Sequence, residues 1–306
     1  MIHVLVSFDA NYMQHTQVML YSLCKHTKES VEVWLLNLKL TDEQCAACKR
    51  FIERKCGAEL KIIDMDPSMF RGMPTCGFSI ECYSRIMALN VLPKELSRVL
   101  WLDGDIIVNN DVAPFYHQEL GDKYCVACKD NWADTEHIKT HQVALGIPNT
   151  HEYFNSGVLL LNLEILRRNI TLDDIQSAFV KLKDAIHFPD QDILNYLYTG
   201  HVKYADNLLY NCQRFGKKEE EKQVQYDQVV ILHYTGIRKP WDIRFLDKRA
   251  KYYWKMYVQC GGMGIGHALH CAAFYIGGGL FSLADSFMRT CCRGLYDKIK
   301  GKVLGE

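Results

Sequence analysis

The chain has 306 residues, and its 36 Lys and Arg balance 36 Asp and Glu, so the formal net charge at pH 7 is zero. Hydrophobic residues make up 48% of the sequence and charged residues 24%, as in a soluble globular protein and unlike a disordered chain. A neutral chain has no overall field that would attract a polyanion, so we expect no nucleic-acid partner.

The 13 cysteines are too widely spaced for the disulfide scaffold of a small secreted domain. Two CxxC pairs make structural zinc an alternative. Cys125 and Cys128 lie in an apolar run that predicts a strand, where positions three apart point to opposite faces. Cys45 and Cys48 lie in a helical stretch, where free cysteine acts as a small hydrophobe. Reduced thiols, and a chain that enters a strand at Ile2 without a signal peptide, predict a cytoplasmic protein.

The first 110 residues alternate short apolar runs with amphipathic stretches. The pattern predicts helices at 13–26, from 42 onward and at 83–92, and strands at 2–7, 31–36, 59–63 and 98–102. Thr41 and Gln44 form a capping box that starts the second helix, and Pro93 ends the third. Strands that alternate with helices predict an α/β fold with a mainly parallel, open sheet.

Beyond residue 113 the pattern is more mixed. It predicts helices near 173–186, 190–198 and 247–258, and strands at 124–128, 157–163 and 229–234. The charge run at 216–222 predicts an exposed loop or helical turn.

The tail, 259–306, differs in composition from the rest of the chain. It is apolar over 267–284 and basic over 287–302. The apolar part is too short and polar to span a bilayer, which takes about 20 apolar residues. A basic amphipathic segment predicts peripheral contact with the inner face of the cytoplasmic membrane. The alternative is a pair of terminal helices packed on the main domain.

Two polar motifs follow the carboxyl ends of predicted strands, where ligands bind in open α/β sheets. Residues 7–12 follow the first strand, and Asp103-Gly104-Asp105 follows the fourth. Carboxylates at i and i+2 lie on the same side of the chain, so Asp103 and Asp105 can bind one hard cation with positions left for phosphate oxygens. The alternative is an Asp-rich turn that only caps the sheet.

Two later segments add polar groups. Residues 154–157, Phe-Asn-Ser-Gly, introduce an apolar run and predict a small polar turn beside the sheet edge. Asp190 and Gln191 open a predicted helix, where Asp is also favoured as a plain N-cap.

A third segment, 232–241, ends a strand with His233. It then supplies Gly236 for close backbone approach and Lys239 for phosphate charge. A lone buried histidine is commonly structural, but beside these residues we favour His233 as a metal ligand.

Together these motifs resemble those of glycosyltransferase family 8, which includes bacterial lipopolysaccharide galactosyl- and glucosyltransferases and glycogenin. The resemblance covers residues 2 to about 258 in the family's order. It implies a single Rossmann-like nucleotide-sugar-binding domain of GT-A type with a C-terminal helical tail. We therefore expect a catalytic domain at 1–258, followed by the tail at 259–306.

The resemblance also implies a role for each matching residue. Mn²⁺, with Mg²⁺ as a substitute, would bind to Asp103, Asp105 and His233. The implied catalytic group comprises Gln191 under the anomeric carbon, Asp190 beside the sugar, and Asp130 near the acceptor. The implied donor-binding residues are these ligands with Asp190, Gln191, Ser7, Asp9, Asn11, Tyr12 (stacked on uracil), Arg85, Gly104, Asn155, Ser156, Gly236 and Lys239.

The implied reaction moves galactose or glucose from UDP-galactose or UDP-glucose to a glycan or glycolipid acceptor, with retention at the anomeric carbon. Gln191 is no carboxylate nucleophile, which favours front-face transfer with the β-phosphate accepting the acceptor's proton. A departure from the family pattern at 75–78 leaves the donor open.

Three other functions compete with this one. A haloacid-dehalogenase phosphatase is disfavoured because Ile106-Ile107-Val108 follows the Asp pair in place of its motif. A non-catalytic nucleotide-sugar-binding or membrane-scaffold protein, and glycogenin-like self-glucosylation, stay open.

Overall fold

The computed structural model describes residues 1–213, 224–242 and 247–261. The chain divides into two compact units, 1–236 and 237–306. The charge run at 216–222 and the tail beyond 261 lie outside the described residues, so the predictions for them stay predictions. Within the described ranges no helix has the length and apolar character to cross a membrane.

The strands of the first unit are β1 (Ile2–Val6), β2 (Val31–Asn37), β3 (Glu59–Asp64), β4 (Arg98–Leu102), β5 (Ile106–Val108), β6 (Cys125–Lys129), β7 (Phe154–Asn162), β8 (Val202–Ala205) and β9 (Ile231–His233). Its α-helices are α1 (Met13–His26), α2 (Asp42–Phe51), α3 (Ala88–Val91), α4 (Ala113–Tyr116), α5 (Glu136–Ala144), α6 (Leu163–Asn169), α7 (Leu172–Leu182), α8 (Pro189–Leu197) and α9 (Asn207–Tyr210). A π-helical turn (Ile52–Cys56) extends α2, and 3₁₀ segments lie at Pro67–Phe70 and Ile80–Met87. In the second unit, α10 spans Ala250–Gln259.

Seven strands form the main sheet in the order β3-β2-β1-β4-β7-β6-β8. The pairs β2–β3, β1–β2, β1–β4 and β6–β8 are parallel, and β7 runs antiparallel to both β4 and β6. β5 and β9 form a separate antiparallel ribbon. The mainly parallel α/β sheet predicted from the sequence is confirmed.

The sheet is buried on both faces, which explains why its central strands are continuous apolar runs. Along β4, Val99 and Trp101 join one hydrophobic cluster, while Leu100 and Leu102 join the other. Local signals also agree with the sequence. Thr41 Oγ1 accepts from the Gln44 amide at 3.3 Å, and Gln44 Oε1 accepts from the Thr41 amide at 2.9 Å, completing the capping box.

Two predictions about individual segments need correction. Residues 154–157 do not form a turn, because they are the first residues of β7, which begins at Phe154 and lies between β4 and β6 in the sheet. A register shift between Ala127 and Cys128 lets β6 pair with these residues too. The helix predicted at 83–92 begins earlier, as the 3₁₀ segment from Ile80, and ends at Val91.

The predicted placement of both CxxC pairs is confirmed. Cys125 and Cys128 lie in β6, and Cys45 and Cys48 lie in α2. None of the ten cysteines among the described residues forms a disulfide.

Candidate active site

Three predicted metal ligands converge at the carboxyl end of β4. The Asp103 amide donates to the Gly157 carbonyl at 3.0 Å, which extends the β4–β7 pairing by one residue. The β5–β9 ribbon pairs Ile106 with His233, and the Tyr234 amide donates to the Asp105 carbonyl at 3.0 Å. The ribbon therefore carries His233 from a distant part of the chain to the Asp pair.

The ligand atoms of Asp103, Asp105 and His233 all lie within 4.8 Å of one another. His233 Nε2 is 3.2 Å from an Asp105 oxygen and 3.9 Å from an Asp103 oxygen. His233 and Asp105 are buried, whereas the Asp103 side chain is 25% exposed and leaves an open side. Two carboxylates with one imidazole suit Mn²⁺ or a similar divalent cation. Within the part of the chain that the structure describes, this is the one such group of three.

Gly157 packs directly against these ligands. A Cβ built on this residue would lie 2.2 Å from His233 Cε1 and 2.8 Å from Asp103 Oδ2. A side chain at this position would therefore displace the imidazole or the carboxylate. The sequence motif contained Gly157, but its spacing gave no sign of this contact.

Arg85 connects the Asp pair to α8. Its guanidinium lies 2.8 Å from Asp103 Oδ1 and 3.1 Å from Asp190 Oδ2. It stacks 4.3 Å over the ring of Trp101, whose indole N–H donates to Asp103 Oδ1 at 2.9 Å. Burial disfavours the Arg85 charge, but the neighbouring carboxylates outweigh it and raise its pKa. Burial raises the pKa of Asp190, against the opposing effect of Arg85.

A second polar cluster, which we call the amide cluster, comprises Asp130, Asn155, Ser156 and Gln191, all buried. Asn155 Nδ2 donates to Asp130 Oδ2 at 3.2 Å and to Gln191 Oε1 at 3.1 Å. The Ser156 amide also donates to Gln191 Oε1, at 3.0 Å, and its carbonyl accepts from Arg85 Nη1 at 2.6 Å. Ser156 thus joins the amide cluster to Arg85 through its backbone.

The segment after β1 forms the third part of the site. Asp9 Oδ1 accepts from the amides of Asn11 and Tyr12 at 2.9 and 3.0 Å, a turn that leads into α1. The Tyr12 ring lies close to Gly104, because a Cβ on Gly104 would be 3.3 Å from Tyr12 Cδ1. Burial and the neighbouring carboxylates, Asp105 first, raise the pKa of Tyr12 well above its ordinary value.

Three other predicted donor-binding residues, Ser7, Gly236 and Lys239, do not take part in the contacts described above. Ser7 Oγ donates to the Leu36 carbonyl at 2.7 Å and lies 3.1 Å from Ser84 Oγ, so its hydroxyl is bound within the protein. Gly236 ends the first unit with a φ of +91°, a conformation that favours glycine. Lys239 belongs to the second unit, and its contact with phosphate stays a prediction.

Sequence reasoning missed two residues of the site. Trp101 falls within the strand predicted at 98–102, and its side chain contacts both Arg85 and Asp103. Asn211 was not singled out, although its Oδ1 lies 2.8 Å from His233 Nδ1. Nothing in the residues around Asn211 indicates this partner, which lies 22 positions along the chain.

An open α/β sheet that holds an Asp-Asp-His group at its carboxyl edge defines a Rossmann-like protein with a candidate metal centre. The sequence profile of Glycosyl transferase family 8 matches residues 3–243, and the chain belongs to this family. The resemblance noted from the motifs is confirmed.

Similarities to individual proteins and to a solved structure agree with this family assignment. The chain is 28% identical over 248 residues to an Escherichia coli lipopolysaccharide 1,2-glucosyltransferase, covering 76% of this chain and 71% of that protein. It is 24% identical over 261 residues to general stress protein A of Bacillus subtilis, covering 78% and 87%. The galactosyltransferase LgtC, solved with donor and acceptor sugar analogues, matches with a TM-score of 0.76 and 24% identity over 87% of this chain and 98% of that one. The GT-A fold is therefore confirmed.

Proposed function

We propose that the chain is a retaining hexosyltransferase that moves galactose or glucose from a UDP-sugar to a glycan or glycolipid acceptor. One observation carries the proposal: Arg85 bridges Asp103 of the metal group and Asp190 of α8, at 2.8 and 3.1 Å. This links a site for a diphosphate to a site for sugar hydroxyls.

The charges of the site support a bound divalent cation. Asp103 and Asp105 present carboxylate oxygens beside a nitrogen of His233, all within 4.8 Å of one another. Carboxylate oxygens with an imidazole nitrogen suit a divalent cation, which we propose to be Mn²⁺, with Mg²⁺ as a substitute. The cation would neutralise charge on the departing diphosphate.

The remaining donor contacts follow from the placement of the side chains. Tyr12 lies close to Gly104 of the metal group, and we propose that its ring stacks on uracil, while Asp9 and Asn11 in the same turn bind the ribose. Asn155 and Asp190 supply polar groups for the hexose hydroxyls. Gly236 and Lys239 would contact the phosphates.

We infer front-face transfer. Gln191 Oε1 already accepts two hydrogen bonds, from Asn155 and Ser156, which makes it a poor nucleophile. Held this way, it can stabilise positive charge on the anomeric carbon through its carbonyl dipole. The acceptor hydroxyl would attack from the side of the leaving β-phosphate, which takes its proton, with Asp130 positioned near the acceptor. Retention follows because bond breaking and bond formation occur on one face.

A panel of UDP-sugars tests the proposal through UDP release, with Mn²⁺ or with EDTA. We expect release from UDP-galactose or UDP-glucose, with transfer of the sugar to water, that EDTA abolishes. With an added glycan acceptor we expect an α-linked product by NMR. Asp103→Ala should abolish this release. Asp111→Ala is its matched control, because the Asp111 carboxylate accepts from a backbone amide of α4, at 3.0 Å, and is not part of the metal group. A β-linked product would contradict retention. Nucleotide binding without any release would favour the non-catalytic alternative, and a mass increase of the protein itself would indicate self-glucosylation.

We also propose a cytoplasmic location with peripheral contact at the inner face of the membrane. The support is the basic stretch 287–302 of the tail, which carries Arg289, Arg293, Lys298, Lys300 and Lys302 against Asp297. Deleting 261–306 should abolish sedimentation with anionic vesicles, while neutral vesicles serve as the control. Unchanged sedimentation would rule out the anchor and favour helices packed on the main domain.

A further inference from the structure

A chain of hydrogen bonds begins at a backbone amide whose role is fixed. The Gly157 N–H donates to Asn155 Oδ1 at 3.0 Å, and a backbone N–H can only donate. The atom of Asn155 at this position must therefore be its oxygen. Asn211 lies 3.0 Å from the same oxygen and must present its amide nitrogen, Nδ2, as the donor.

This orientation of Asn211 determines the tautomer of His233. With Nδ2 turned to Asn155, Asn211 Oδ1 faces His233 Nδ1 at 2.8 Å. A carbonyl oxygen only accepts, so Nδ1 carries a proton, and the neutral ring that binds a metal then offers its lone pair at Nε2. Nε2 lies 3.2 Å from an Asp105 oxygen, close enough for both atoms to bind one cation.

The backbone keeps Asn211 beside the ligand. The Cys212 amide donates to the Ile231 carbonyl at 2.9 Å, and the His233 amide donates to the Cys212 carbonyl at 3.0 Å. Asn211 itself is fully buried, and His233 is 2% exposed, so water cannot replace the contact between them.

We propose that Asn211 is a positioning residue: it locks His233 in the Nδ1–H tautomer that a metal ligand at Nε2 requires. Through Asn155, the same chain of bonds continues to Asp130 Oδ2 and Gln191 Oε1, so the metal group and the amide cluster share one hydrogen-bond network. The inference rests on the proposed cation site, because it concerns how a ligand of that cation is held.

The first test reads the tautomer directly on the metal-free protein. Nitrogen-15 NMR distinguishes Nδ1–H from Nε2–H in a neutral imidazole, and His233→Asn assigns the signal. We expect Nδ1–H in the wild type. An Nε2–H signal would overturn the inference, and this measurement needs no variant of Asn211.

The second test measures Mn²⁺ affinity in the presence of UDP, by the EPR signal of free Mn²⁺. Asn211→Leu keeps the size of the side chain but loses both hydrogen bonds, and we expect affinity to fall about 10- to 100-fold, as for other partners of metal-bound histidines. Asn211→Asp keeps an acceptor for Nδ1–H and should recover most of the loss, although it no longer donates to Asn155.

Asn162→Leu is the matched control. Asn162 is a buried amide at the other end of β7 that donates to the carbonyls of Gly121 and Lys123. Its replacement should lower the melting temperature and leave Mn²⁺ affinity unchanged. An equal loss of affinity in this control would mean that general destabilisation is the cause, and would overturn the inference.

The outcomes separate this inference from the proposed function. A folded Asn211→Leu variant that binds Mn²⁺ as tightly as the wild type refutes the role of Asn211 alone. A wild-type protein that binds no Mn²⁺ with UDP refutes the proposed cation site. If Asn211→Leu does not fold, the inference is tested by the Mn²⁺ affinity of Asn211→Asp and by the tautomer of His233 in the wild type.

Discussion

Replacing Gly157 with Ala places a methyl group inside the metal group. The new Cβ would lie 2.2 Å from His233 Cε1, which is 1.2 Å inside the 3.4 Å at which ordinary contact begins. The imidazole cannot swing aside freely, because it is buried and bound to Asn211. Forced overpacking of this kind costs about 1–3 kcal/mol of stability. A ligand displaced by about 1 Å can cost about 100-fold in turnover.

Two measurements check this prediction. Chemical denaturation of Gly157→Ala gives the free energy of unfolding, and Mn²⁺-dependent UDP release gives turnover. In the double variant Gly157→Ala/His233→Ala the methyl group no longer meets the imidazole, so the two changes should couple favourably in stability. The variant Gly157→Ala with wild-type stability and turnover would refute the close approach of β7 to the ligands. Strictly additive effects in the double variant would show that the imidazole is not the group that the methyl displaces.

Three further predictions concern the charged groups. Asp105→Ala removes a ligand, so Mn²⁺ binding should be lost and UDP release should fall about 100-fold or more; near-normal release with EDTA-sensitive kinetics would exclude this role. Arg85→Lys keeps the charge, but one ammonium cannot reproduce the contacts of the guanidinium with two carboxylates, so turnover should fall about tenfold. Unchanged turnover would mean that the positive charge alone suffices. Burial raises the pKa of Asp130, so the native protein holds a proton that the unfolded chain has released, and its free energy of unfolding falls as pH rises through that range. Asp130→Asn lacks this dependence, so its stability relative to the wild type should increase from about pH 4 upward in metal-free denaturation curves; a difference independent of pH would contradict the assignment.

The metal group was predictable because each of its parts has a local signal. An apolar run ending in Asp103-Gly104-Asp105 places both carboxylates at a strand end, and His233 ends another apolar run. What the sequence could not give is the pairing of β5 with β9, which depends on partners over 120 residues apart. The motif resemblance supplied that association.

The amide cluster was less accessible to sequence reasoning. Residues 155–157 are polar or small, and such residues usually indicate a turn, since water satisfies their polar groups there. In the structure their partners are side chains from elsewhere: Gln191 accepts from Ser156, and Asn211 donates to Asn155. Tertiary hydrogen bonds thus replace water and permit a buried strand.

The direction of β7 explains why the two halves of the site meet. In a wholly parallel sheet, only residues at the carboxyl ends of strands gather at one edge, as Asp103 does after β4. Because β7 runs antiparallel to β4, its first residues, Asn155 to Gly157, lie at this same edge. The Asp103–Gly157 hydrogen bond continues the ladder between them. A parallel β7 would bring its last residues, ending at Asn162, to Asp103 instead, and Arg85 and His233 would lose the backbone against which they pack. The site therefore requires that β7 run antiparallel to β4.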